Sequence, residues 1–284
     1  MIQRNPVLDF FSHAILVLGV VLVFFPIVVA LIVSSQSPEQ VAASNPITLV
    51  PGSHLVESYR LALFGGKTMG GSSVPGAARM MGISLASALI IALGKIAISL
   101  LSAFAVVYFR FPFKNLVFWM IFVTLMLPVE VRITPTYSVV ASLGMLNTMS
   151  GLTVPLIASA TATFLFRQFF LAVPDELVEA ARMDGAGPMR FFKDVLLPLS
   201  ATSIAALFVI LFIYGWNQYL WPLLVTTDET MYPIVMGIKR LVNGESYIEW
   251  NLVMATAILA MLPPALVVML MQKWFVKGLV DTEK

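Results

Sequence analysis

Six stretches of the chain are long, apolar and nearly free of charge, and shorter polar runs separate them. An α-helix rises about 1.5 Å per residue, so roughly 20 apolar residues cross a hydrocarbon core of about 30 Å. All six stretches reach that length: residues 12–33, 80–107, 116–140, 152–170, 199–225 and 252–271. Lys95 alone interrupts the second. Glu130 and Arg132 lie towards the end of the third, and Arg167 near the end of the fourth. The pattern predicts an all-α fold, a polytopic membrane protein with six transmembrane helices. The first apolar run exceeds the roughly 7–15 residues of a signal-peptide core and no small-x-small site follows it, so it is expected to be a retained anchor.

Composition strengthens this picture. Hydrophobic residues make up 59% of the chain and charged residues 11%, against about 45–50% and about 25% in soluble domains. So few charges cannot cover a water-facing surface, and the mean hydropathy is +0.93. A soluble enzyme and a disordered chain are both excluded. A formal net charge of +2 leaves no footprint for nucleic acid. There is no cysteine, and the two histidines, His13 and His54, are far apart in sequence. Thiolate chemistry and a Cys- or His-rich metal site are therefore unavailable to this chain.

Orientation follows from Lys and Arg in the loops. With the N-terminus inside, ten cations fall inside: Arg4, Arg110, Lys114, Arg167, Arg182, Arg190, Lys193, Lys273, Lys277 and Lys284. Five fall outside, on longer loops: Arg60, Lys67, Arg79, Lys239 and Arg240. Both termini are predicted to be cytoplasmic. The outer loop 34–79 is rich in Ser, Gly and Pro, with an apolar patch at Leu55–Phe64, and is expected to be partly structured, as is 226–251. Gly66-Lys67-Thr68 imitates the end of a phosphate-binding loop, but Leu61 stands where that loop needs glycine. The chain therefore has no apparatus for ATP hydrolysis.

The loop between spans four and five is the informative polar segment. Pro174 suits a helix start, and Asp175 and Glu176 suit its positive end. Gly185 is a natural left-handed stop. A short helix is predicted over 175–184, and Pro188 can open a second helix leading into span five. Leu177, Ala180, Ala181 and Asp184 fall near one face, with Val178 beside it, and the alanines let another surface approach closely. A helix so short is marginal alone and needs something to lie against. From the residues alone, the membrane interface and a cytoplasmic protein serve equally well.

The run Glu179-Ala180-Ala181, three residues, Gly185, nine residues, Val195-x-Leu197-Pro198 resembles the EAA loop of ABC-importer permeases, with Val195 where isoleucine is more usual. Thr134-Pro135-Thr136-Tyr137, Leu143 to Thr148, and Trp216 to Leu223 resemble the carbohydrate-uptake branch of that family. The stretches 118–122, 127–132, 158–170 and 278–281 resemble its sn-glycerol-3-phosphate members. The resemblance implies the type I importer permease fold. It also implies ATPase coupling through Glu179, Ala180, Ala181, Asp184 and Gly185. The expected organisation is an anchor helix and periplasmic loop (1–78), a five-helix transmembrane domain with coupling loop 173–198 (79–272), and a cytoplasmic tail (273–284). The implied partners are a second permease subunit, two ATP-binding subunits that bind ATP and Mg²⁺, and a periplasmic solute-binding protein, all at the bacterial inner membrane. No cofactor is expected on this chain. The implied cargo is sn-glycerol-3-phosphate or a related glycerophosphodiester, with another sugar or sugar alcohol as the alternative.

Charges within the bilayer cost roughly 2.5–3.5 kcal/mol each on insertion scales, so they should face protein or water. Lys95, Glu130 and Arg132 are candidate path residues, although pairing with a neighbouring helix is the favoured reading of Lys95 and attraction of an anionic substrate the alternative. Glu130 and Arg132 are two apart and do not face each other on a helix. Pro128 and Pro135 are expected to bend or break the span. Asn217 and Gln218, placed in span five, could bind substrate hydroxyls or join helices. Trp216 and Trp221 fit an interfacial belt better than a sugar-stacking site. A secondary transporter is the rival from another class, but neither an internal repeat nor paired central charges stand out. No catalytic cluster suggests an intramembrane enzyme.

Overall fold

The computed structural model describes residues 6–44, 48–67, 71, 73–123, 127, 129–243 and 248–280. The bilayer offers backbone groups no hydrogen-bonding water, and the described chain answers with helices. In order these are α1 (Pro6–Ser34), α2 (Pro38–Ala43), α3 (Leu55–Phe64), α4 (Ala77–Tyr108), α5 (Lys114–Val123), α6 (Val129–Ser142), α7 (Met149–Thr153) and α8 (Ala160–Leu171). There follow α9 (Asp175–Met183), α10 (Pro188–Phe191), α11 (Leu197–Leu199), α12 (Ala201–Trp216), α13 (Leu220–Val225), α14 (Ile234–Asn243) and α15 (Trp250–Val280). The described strands are β1 (Gly65–Lys67) and β2 (Ser73–Pro75), an antiparallel pair with Gly66 opposite Val74.

The chain divides into two compact units. One comprises residues 1–79 and 237–262. Within it, α1 is apolar all round between Ala14 and Val33, and its described residues are exposed along most of its length, with Val23 at 70%. Such a surface suits lipid, not water. At its end the hydroxyls of Ser34 and Ser35 donate back to the carbonyls of Leu31 (2.8 Å) and Ile32 (2.6 Å). Gln36 then donates to the carbonyls of Thr48 (2.9 Å) and Val50 (2.7 Å), tying down the start of the outer loop. The apolar patch at 55–64 is α3. Its Ala62 packs with Val74, Leu252 and Ala255, and Ser58 Oγ accepts from Asn251 Nδ2 at 3.2 Å. Lys67 lies in the hairpin, not in a strand-to-helix turn, and Thr68 is outside the described residues.

The other unit comprises residues 80–236 and 263–284. The second predicted span is part of α4, a single helix of 32 residues. The third is divided between α5 and α6; residues 124–126 and Pro128 between them are outside the described residues. α6 continues through Pro135, with Thr136 Oγ1 donating to the Arg132 carbonyl at 2.7 Å. The fourth is a broken helix: residues 149–156 and α8 meet at 46° around Ile157–Ser159. The fifth is broken twice. Residues 188–199 meet α12 at 72°, and α12 stops at Trp216 before α13 begins. Pro222 explains the second stop, because its ring would clash with the carbonyl four residues back, that of Gln218. Among the described residues three helices are long and apolar enough to cross a membrane, or five if each bent pair is one span.

The core of this unit gathers Val140, Leu152, Trp221 and Val225. The interfacial-belt reading of the tryptophans is corrected here: Trp216 and Trp221 are only 2% and 5% exposed. Trp221 Nε1 donates to the Gly151 carbonyl at 3.0 Å, and Trp216 stacks on Phe212. Asn147, at φ 57°, clamps the turn before α7 to the loop after α13. Its Oδ1 accepts from the amides of Thr227 (2.6 Å) and Asp228 (3.0 Å), and its Nδ2 donates to Thr227 Oγ1 at 3.0 Å. Asn147→Ala removes these bonds and leaves a Cβ-branched-free but non-glycine residue in the left-handed region, where asparagine is favoured. The expected loss is about 1–2 kcal/mol, read as a lower midpoint in thermal unfolding of the detergent-solubilised protein. Asn147→Asp keeps the acceptor and should retain most of the stability.

Candidate functional site

The loop after α8 folds as its punctuation dictates. Pro174 precedes α9 with φ −59° and ψ 137°, and Asp175 and Glu176 occupy the first turn. At the other end Gly185 takes φ 72°. The Gly185 amide donates to the Arg182 carbonyl (3.0 Å) and the Ala186 amide to the Ala181 carbonyl (2.9 Å). This paired closure satisfies carbonyls that the last helical turn leaves open. Glu179, Ala180, Asp184 and Gly185 are exposed, and Ala181 is half-buried. Val178, Ala181 and Arg182 line a cavity of about 170 Å³ together with Phe104 and Tyr108 of α4 and Phe191 of α10. The helix therefore turns one face to a cavity shared with α4 and α10, while four of the five predicted coupling residues, on α9 and its C-terminal turn, are exposed.

An aromatic seam joins the segment after α9 to the ends of two spans. Phe192 packs on Phe104 at 4.9 Å between ring centroids, and Phe191 on Tyr108 at 5.4 Å. Tyr108 reaches Phe170 of α8 at 6.1 Å and donates its hydroxyl to the Phe170 carbonyl at 3.1 Å. Phe191 and Phe170 are buried. Residues 192–196 form one π-helical turn, wider than the α-helix around it. Pro198 follows, where an α-helical path would bring its ring against the Asp194 carbonyl. Ser200, fully buried at the 72° bend, donates its hydroxyl to the Leu196 carbonyl at 2.6 Å.

A second site lies among the spans. Lys95, Arg132 and Gln218 line one cavity of about 220 Å³. Lys95 is 7% exposed, with Nζ 3.8 Å from the centroid of the Tyr214 ring on α12. A Cβ at the neighbouring Gly94 would lie 2.8 Å from Ile157 Cγ2, so glycine lets the break of the fourth span seat against α4. Asn217 is exposed, ends α12 and is not among the lining residues. Both Asn217 and Gln218 lie in the break between α12 and α13, not within a span. The side chain of Glu130 is outside the described residues. Thr136, Tyr214 and Trp221 also line the cavity and were not singled out as path residues from sequence. A local signal existed for Tyr214, which stands one helical turn before Gln218 and accepts its amide hydrogen at the main-chain carbonyl (3.0 Å). Among the described residues no cluster of His, Asp or Glu suits a metal.

Residues 95–281 match the family described as "Binding-protein-dependent transport system inner membrane component". The whole chain is 59% identical to the whole of the sn-glycerol-3-phosphate transport system permease protein UgpE of Brucella melitensis biotype 1 (100% of each covered). Proteins of the same name from Agrobacterium fabrum and Escherichia coli O1:K1 are 58% and 56% identical, again with 100% of each chain covered. A solved chain of a bacterial ABC transporter involved in importing the acidic polysaccharide alginate superposes with a TM-score of 0.77. It is 20% identical, and the match covers 97% of this chain and 99% of that one. The fold is that of a type I ABC importer permease.

Gly185 provides the local test of the α9 terminus. Alanine there meets no atom within 4 Å, so any cost comes from the backbone alone. Gly185→Ala should weaken the terminus by about 1–2 kcal/mol, seen as faster hydrogen exchange at the amides of 184–186. Gly185→Asn, which tolerates the left-handed region, should lose less.

Proposed function

The chain belongs to the binding-protein-dependent transport system inner membrane component family, and from that we propose that it carries sn-glycerol-3-phosphate, or a related glycerophosphodiester, by alternating access. It is a multi-pass membrane permease component of an ABC importer, not an enzyme, and it works with other subunits of that transporter. The observation that carries the cargo is the full-length identity of 59% to a permease named for that substrate. In this reading a second permease subunit completes the pore, and two ATP-binding subunits hold ATP and Mg²⁺. A periplasmic binding protein delivers the solute, and both termini are cytoplasmic.

The outer face of α9 is the docking surface for an ATP-binding subunit. Its exposed Ala180 admits a close neighbour, and its exposed Glu179 and Asp184 offer charge for pairing. Displacement of α9 reaches the spans through its cavity wall with Phe104 and Tyr108, and through the seam from Phe191 and Phe192. Transport needs two packings of similar energy whose balance ATP shifts. The bends at 157–159 and at Ser200, where the spans already change direction by 46° and 72°, are the natural places for such a change.

Proteoliposomes holding the full complex test this reading. Labelled sn-glycerol-3-phosphate should accumulate only with ATP on the α9 side and the binding protein on the other. Glu179→Lys and Ala180→Trp should each cut uptake at least tenfold while the chain remains in the membrane. Uptake driven by an ion gradient without ATP would instead establish secondary transport.

A further inference from the structure

We propose that the cavity at Lys95 and Arg132 is an anion subsite that holds the phosphate group of the cargo during passage. The inference deepens the cargo reading above and rests on it. Lys95 is buried and its charge is met by the π-face of Tyr214, which attracts a cation without neutralising it. Arg132 brings a second positive charge to the same cavity. Two cations repel, and a lysine placed to join helices would be expected to face a carboxylate. Among the described residues that line the cavity none is acidic. The missing negative charge is what a phosphate monoester brings, and guanidinium and ammonium groups are its usual partners.

The remaining walls suit the rest of a small polyol phosphate. The Gln218 amide donates its hydrogen to the Tyr214 carbonyl, which leaves Oε1 free to accept from a hydroxyl. Thr136 donates its hydrogen to the Arg132 carbonyl, so its oxygen is likewise left as an acceptor. Two of the main-chain breaks of this unit border the cavity, through Ala158 on one side and Gln218 on the other. α8 begins two residues after Ala158 and adds the positive end of its dipole. At about 220 Å³ the space is smaller than the roughly 300–1,000 Å³ pockets of drug-sized ligands. It is large enough for a three-carbon ester. Two cations without a closed cage also suit transport, since a site that conducts must release what it holds.

An anionic lipid headgroup shares this chemistry, so the test separates the two sources. The full complex is reconstituted in vesicles of phosphatidylcholine alone and in vesicles that also contain phosphatidylglycerol. Wild-type uptake of labelled sn-glycerol-3-phosphate is measured first, and its absence would remove the cargo reading itself. Given wild-type uptake, Lys95→Gln and Arg132→Gln should each lower the maximal rate at least tenfold in both vesicle types, normalised to complex recovered by co-purification. Arg132→Lys, which keeps the charge, should restore most of the rate. Gln218→Glu, which adds a negative charge to the wall, should lower it as well and serves if either neutral variant does not assemble. Wild-type rates in Lys95→Gln and Arg132→Gln, or in Gln218→Glu where those do not assemble, would overturn the subsite. So would a defect confined to vesicles containing phosphatidylglycerol.

Discussion

A hydrocarbon core supplies no hydrogen bonds, and every departure from helix in this chain has to be answered from within. That constraint explains where the breaks fall and what surrounds them. At the break in the fourth span the Ser159 carbonyl accepts from Ser99 Oγ (3.3 Å), and the Ser159 hydroxyl caps the Ala162 amide (3.3 Å). At the break after α12 the Gln218 side chain returns to the Tyr214 carbonyl. Across from it Trp221 secures the Gly151 carbonyl. The polar side chains in the apolar stretches are thus not scattered exceptions. Several of them are the terms on which the backbone is allowed to bend, and two of the bends border the cavity at Lys95 and Arg132.

The two sites differ in how far they could be read from sequence. The α9 loop is written in local backbone chemistry: Pro174 starts the helix, Gly185 stops it, and Pro188 begins the next. Each acts on its own neighbours, so the element is legible without knowing the fold. The cavity is assembled from positions 95, 132, 136, 214 and 218, and nothing in a one-dimensional pattern says that these converge. Lys95, Arg132 and Gln218 were visible because polar groups are costly among apolar ones. Tyr214 and Thr136 were not, because an amphipathic residue near a helix end has many roles. Asn217 was read together with Gln218 but points to a different environment, since it serves as the end of α12. The tryptophans misled for a related reason. Aromatic residues near a span terminus suit an interface, and only the tertiary contacts to Gly151 and Phe212 place Trp221 and Trp216 inside.

Mechanically, the molecule joins a polar outer face to an apolar interior through rings. Phe104, Tyr108, Phe170, Phe191 and Phe192 belong to α4, to α8 and to the segment leading to α12. The cavity proposed to hold the cargo is lined by Lys95 midway along α4, by Ala158 two residues before α8, and by Tyr214 near the end of α12, beyond the 72° bend. Among the described residues, α4 is the one unbroken helix that carries both a seam residue, Phe104, and a group proposed to hold the cargo, Lys95.

The wide turn at 192–196 sets the angular phase of what lies on either side of it. A π turn holds one residue more than the α-helix it interrupts. Tightening it into ordinary helix would swing the flanking segments against each other by about 100°, the rotation of a single residue. The azimuth of the α12 side chains, Tyr214 included, relative to the 173–198 loop thus depends on one surplus residue together with the 72° bend at Ser200. The turn is a vernier: a small local rewinding would be read out as a large rotation, with no change in the length of the chain.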